Sequence, residues 1–123
     1  MRDTTLQQIR QLCLAWPETS ERLSHGAPAF FVQGKKCFLM YMDNHHQDGR
    51  LAIWCAAPFG AQQAFTQARP TTFFVPPYVG HRGWLGVCLD RGLSLEALTE
   101  IIRDAYRCVA PRKLISQLDK PVQ

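Results

Sequence analysis

The chain has 123 residues, 46% hydrophobic and 20% charged, ordinary globular usage at a length that buries roughly two-thirds of the unfolded surface, so disorder and fibrous repeats are not indicated. No apolar run reaches about 18 residues and no basic-then-apolar leader opens the chain, so neither a membrane span nor a secretory signal is expected and the cytoplasm is the default compartment. A formal charge of +4, from 14 Lys and Arg against 10 Asp and Glu, biases the protein toward anionic partners but falls short of a dedicated nucleic-acid-binding composition.

The opening "DTTLQQIRQLCLAWP" sets Leu6, Ile9, Leu12, Cys13 and Trp16 at helical spacing, with Asp3, Thr4 or Thr5 as N-cap and Pro17 past the end. The short polar "SERLSHG" suits an edge strand. In "AFFVQGKKCFLMYMD" two apolar runs flank Gln33-Gly34-Lys35-Lys36, the pattern of a β-hairpin with Gly34 where positive φ is wanted. "NHHQDGR" reads as a polar loop, and "LAIWCAA" as the next strand of the meander. "FGAQQAFTQA" predicts a short helix ended before Pro70.

"TTFFVPP" and "GWLGVCLD" predict two further strands, the second apolar on both faces and therefore central. "LSLEALTEIIRDAYRCVAP" is the clearest helix, with Ser94 as N-cap, an apolar stripe through Leu98, Ile101, Ile102, Ala105, Tyr106 and Val109, and Pro111 closing it. The remainder, "RKLISQLDKPVQ", starts apolar and ends polar. The expected architecture is one α+β domain over residues 1–118, an antiparallel sheet of about five strands packed against N- and C-terminal helices, with 119–123 a frayed tail.

Five cysteines, Cys13, Cys37, Cys55, Cys88 and Cys108, without C-x-x-C spacing argue against a disulfide framework and a structural zinc site. His45 and His46 are adjacent, lack the i, i+4 spacing that aims two imidazoles at one ion, and read as solvated loop residues. His25 reads as a turn residue or a pocket rim. No nucleophile elbow, Walker motif or Gly-rich phosphate loop is present, so no cofactor, metal or catalytic residue is expected. What remains is a basic and aromatic group: Lys35 and Lys36 in a hairpin turn, Arg50 at a strand start, His81, Arg82 and Trp84 in a loop, and Arg112 and Lys113 after the long helix. Lysine-tipped hairpins can meet phosphates and an exposed aromatic can stack a base; equally, the lysines can keep a turn soluble while Trp84 belongs to the core.

Three blocks, "HGAPAFFVQGKKCFLMYM", "PPYVGHRGWLGVCLD" and "AYRCVAPRKL", occur in this order over nearly the whole chain, and together they resemble the MmcQ/YjbR family of small bacterial proteins. The resemblance implies a CyaY-like α+β fold of the double-wing type and a DNA-binding role. It marks His25, Pro28, Phe30, Gly34, Lys35, Lys36, Tyr78, Gly80, His81, Arg82, Gly83, Trp84, Tyr106 and 110–114, while Cys88 departs from the larger or basic residue expected there. A frataxin-like iron role does not follow, because Asp3 is the sole acid before Glu18.

Three readings result. In the first, a non-enzymatic protein binds nucleic acid, DNA for instance, through Lys35, Lys36, Arg50, His81, Arg82, Arg112 and Lys113. In the second, His25, Tyr78, His81, Arg82 and Trp84 form a pocket for a small anionic ligand, or an unrecognised enzyme site. In the third, an exposed sheet face makes a protein-interaction module or homodimer. A deep cleft around the aromatic and basic side chains favours the second over the first; a convex basic face favours the reverse.

Overall fold

In the computed structural model, which describes residues 2–118, strands β1 (Thr19–Ser24), β2 (Ala27–Val32), β3 (Lys36–Asp43), β4 (Leu51–Cys55), β5 (Phe73–Phe74) and β6 (Leu85–Cys88) form one sheet. The order is β1-β2-β3-β4-β6-β5, antiparallel throughout. Two turns make the first hairpins compact. His25 and Gly26 join β1 to β2 at φ 52° and 81°, and Gln33 and Gly34, at 55° and 66°, lead with Lys35 from β2 into β3, the paired positive φ that right-twisted hairpins favour. The sixth strand is the polar edge segment 19–24, and β5 is cut to two residues because Pro76 and Pro77 cannot continue a ladder. As the two apolar faces of "GWLGVCLD" predict, β6 is an interior strand and all four of its residues are buried.

Helices α1 (Arg2–Leu14) and α3 (Leu95–Val109) pack on one face of the sheet. The Ser94 side chain accepts from the Ala97 N–H, satisfying one donor of α3's first turn. Tyr106 fixes α3 against the sheet: it is fully buried, meets Phe38 edge-on at 5.8 Å, and donates its hydroxyl to the Pro17 carbonyl at 2.8 Å. At the β1 edge of the sheet Arg10 of α1 forks onto Glu21 through two hydrogen bonds of 2.8 and 2.9 Å. Short α2 (Ala61–Ala68) connects β4 to β5 and packs Phe65 on Phe73.

Two expectations need correction, and one element is added. α1 begins at Arg2, ahead of Asp3, Thr4 and Thr5, so none of them caps it, and Trp16 lies beyond its end, stacked on Tyr106. The segment after Pro111 begins with a helix, α4 (Arg112–Leu118). Pro111 stops α3 because it lacks an N–H, yet its own carbonyl accepts from Leu114 and Ile115, and the fully buried Leu114 anchors the new turn. The tail at 119–123 lies outside the described residues.

A bulge in β3 sorts side chains between the two faces. Phe30 pairs with Leu39 and Phe31 with Cys37, so one extra residue sits in β3 at Phe38. Strict alternation would put Cys37 and Met40 on opposite faces. With the bulge, Phe38 turns to Tyr106 while Cys37 joins Met40 and Met42 on the face away from the helices. On that face the Phe74 ring lies directly over Gly86, where a Cβ would come within 2.6 Å of three ring atoms. Gly86→Ala is therefore expected to destabilise the fold by about 1–3 kcal/mol, read as a lower urea midpoint; an unchanged midpoint would show that the ring is not seated there.

Candidate functional site

The helix-free face of the sheet is partly roofed by loops, and between roof and sheet lies a cavity of about 710 Å³. Cys37, Met40, Met42 and Trp54 line it from the strands, His45 and His46 from the β3–β4 loop, Tyr78, Val79, Arg82 and Trp84 from the β5–β6 loop, and Ser24 and His25 from the first hairpin turn. The lining is mostly aromatic and thioether surface with a few polar atoms, the composition typical of small-molecule sites of roughly 300–1,000 Å³.

The β5–β6 loop is held over the sheet by particular contacts. Gln62 of α2 donates from its amide nitrogen to the carbonyls of Gly80 (2.8 Å) and Trp84 (2.7 Å). A Cβ at Gly80 would meet Cγ1 of the exposed Val75 at 2.6 Å, so a larger residue there would have to turn that side chain aside. Tyr78 sits at φ 66° between Pro77, whose carbonyl accepts the Val79 N–H at 2.6 Å, and Val79 itself. Such a three-residue turn with a positive central φ is rare and strained, and it leaves the Tyr78 ring 69% exposed at the cavity's edge. Its hydroxyl is 3.4 Å from His46 Nε2, linking the two roofing loops.

The β3–β4 loop carries similar strain. Asn44, His46 and Gln47 all take positive φ around a 3₁₀ turn at His45–Gln47, and residues other than glycine in that region cost on the order of 1 kcal/mol each. The turn folds His45 back onto the sheet, which corrects the expectation of a solvated loop residue there, while His46 is exposed as expected. His45 is half-buried, its ring edge-to-face with Trp54 at 4.8 Å. Trp54 Nε1 and His45 Nε2 are both buried with no hydrogen-bond partner, and each such atom costs about 1–3 kcal/mol. The third buried orphan among the described residues, Trp16 Nε1, belongs to the helix side.

Positive charge gathers at one end of the cavity. The Arg82 guanidinium lies 5.0 Å from the centre of the Trp84 ring, and Arg22, at 3.6 Å over Phe31, donates to the Gly34 carbonyl. Burial pushes the Cys37 thiol up from its ordinary pKa, and the charges of Arg82 and Arg22 oppose that shift without reversing it. A thiol raised in this way is protonated at neutral pH and suits packing better than nucleophilic attack.

Among the residues singled out by sequence, the structure brings His25, Tyr78, Arg82 and Trp84 together around the cavity; His81 is exposed and outside its lining. Lys35 in the β2–β3 turn and Lys36 at the start of β3 are exposed, next to Cys37. Arg50 sits past the other end of β3, roughly 20 Å from Lys36 by strand rise, where it covers Phe74 at 4.0 Å and lies 3.9 Å from Asp48. Arg112 and Lys113 open α4 on the surface. Sequence reasoning missed Met40, Met42, Trp54 and His45. The signal for the first three was the apolar character of both faces of "FLMYM" and "AIWC", which requires cover on each side. Among the described residues no group of three or more His, Cys, Asp or Glu could hold a metal ion, and no helix is long and apolar enough to cross a membrane.

The YjbR family model matches residues 14–108. A solved structure of Deinococcus radiodurans protein DR2400, which carries a DUF419 domain, superposes with a TM-score of 0.74 at 20% identity, over 94% of this chain and 88% of that one. No curated protein matches the sequence.

Because its thiol is raised, Cys37 should react slowly with iodoacetamide at pH 7, with its rate rising through a midpoint above the ordinary thiol range and higher still in R82A. Peptide mapping by mass spectrometry measures this, and fast neutral-pH labelling of Cys37 would contradict it.

Proposed function

The chain belongs to the YjbR family, and we propose that it is a small-ligand-binding protein whose occupant places an apolar ring in the cavity and an anionic group at the basic end. The observation that carries this reading is the cavity itself, about 710 Å³ with an aromatic and methionine interior and Arg82 on its wall. Flat apolar ligands gain from stacking on such walls, and methionines adapt to irregular shapes. Arg82 suits a carboxylate or phosphate because its planar fork presents paired donors.

A second reading rests on Lys35 and Lys36, which adjoin Cys37 at the same end. A single-stranded nucleic acid could put one base in the cavity while its phosphates run past Arg82 and the two lysines. Arg50, Arg112 and Lys113 stand apart from that end, so this contact would be short. A broad duplex-binding face, which would need all seven basic positions together, has less support.

The test is a titration of the full chain with naphthalene-2-carboxylate and, separately, with a single-stranded oligonucleotide at 50 and 200 mM salt. The small anion is expected to bind, to slow alkylation of Cys37, and to lose about tenfold or more in affinity in R82A, the size expected for a lost charged hydrogen bond. Oligonucleotide binding that falls by about 0.7 log units per tenfold salt for each phosphate neutralised, with none of the small anion, would favour the second reading. No binding of either removes both.

A further inference from the structure

The cavity's two orphaned nitrogens specify more about its occupant than size and charge do. Trp54 is only 2% exposed, so its indole N–H has left water, yet no protein acceptor has replaced it. Its neighbour His45 meets it edge to face, which offers at most a weak N–H···π contact. Buried Trp nitrogens normally find a partner. This one belongs to a side chain of the cavity wall, surrounded by His45 at 4.8 Å and Tyr78 at 6.4 Å between ring centres. His45 Nε2 is in the same condition. Neither nitrogen is open to solvent, so the ring that shields them must shift before a ligand reaches them. The His45 ring sits on a short turn with positive φ at Asn44, His46 and Gln47, exposed on either side of His45 and tied to the neighbouring roof loop by the Tyr78 hydroxyl at His46.

Resting on the small-ligand reading above, we propose that the occupant is a planar heteroaromatic anion whose ring acceptor takes the Trp54 indole N–H, admitted by movement of the His45 turn. The acceptor has to belong to a flat ring, because Trp54, Trp84 and Tyr78 leave apolar walls on which an acyclic polar group would be poorly solvated. Once displaced, His45 Nε2 is free to pair with a second polar atom of the ligand or with water. The same movement uncovers both shielded nitrogens, so ligand binding and opening of the turn are coupled.

Two probes of equal shape and charge separate this from the simpler reading: quinoline-2-carboxylate, which has a ring acceptor, and naphthalene-2-carboxylate, which has none. In the ¹⁵N-labelled full chain the indole resonances of Trp16, Trp54 and Trp84 are assigned with single Trp→Phe variants, and the titrations are run on the unaltered protein. The expected result is a downfield shift of the Trp54 indole proton with the quinoline alone, and about tenfold tighter binding of the quinoline than of the naphthalene. His45→Ala, on an exposed turn, is expected to raise the association rate of the quinoline several-fold. Equal affinities with an unmoved Trp54 resonance overturn the acceptor while leaving the pocket reading intact. An unchanged association rate in H45A overturns the gate. Binding of neither probe overturns this inference and the pocket reading together.

Discussion

One extra residue in β3 decides what each face of the sheet can do. The bulge at Phe38 sends that ring toward Tyr106 and α3, and so lets Cys37, Met40 and Met42 share the opposite face. Without it, strict alternation would put Cys37 on the face opposite to Met40 and Met42, and with the methionines kept in the cavity Phe38 would lose its place in the core. The bulge also increases local twist, in the strand at the middle of the meander that β1 to β4 form.

The two faces are then covered by different means. α1 and α3 seal one with continuous helix surface, closed by the Tyr106 hydroxyl on Pro17 and by the Arg10–Glu21 fork. The other is covered by loops, which carry their own backbone polar groups and cannot pack as closely. Gln62 satisfies two of those carbonyls at once and in doing so suspends the β5–β6 loop above the strands. A roof hung from hydrogen bonds leaves space beneath it, and Trp54 and Trp84 keep that space apolar. The positive-φ residues His25, His46 and Tyr78 all line the same cavity, as expected where backbone strain is retained at a binding site.

Charge is arranged less simply than composition suggests. A net +4 could have formed a single basic face, but Lys36 and Arg50 stand at opposite ends of β3, and Arg50 is already occupied by Phe74 and Asp48. Arg82 and Arg22 instead stand near one thiol, at one end of one cavity. Locally concentrated charge beside apolar walls recognises a particular anion better than a diffuse positive field, which attracts any.

Much of the fold was legible in the residues. Positive-φ turns at Gly34, the Ser94 cap, the stripe from Leu98 to Tyr106 and the doubly apolar strand 85–88 follow from local sterics, capping chemistry and periodicity, which act within a few residues. The tail helix was obscured because Pro111 signals a stop, whereas its use as a start depends on a buried berth for Leu114. The site was legible only in part. Tyr78, Arg82 and Trp84 are dense in one short segment and stood out, but Met40, Trp54 and His45 look like strand core and loop until a bulge and a folded-back turn bring them under the same roof. The sequence by itself determined most of the elements, their order and the family, because those rest on local pattern. Tertiary structure alone decided that one face stays uncovered by helices, and which side chains meet there, because register, bulge and loop suspension depend on contacts between residues far apart in the chain.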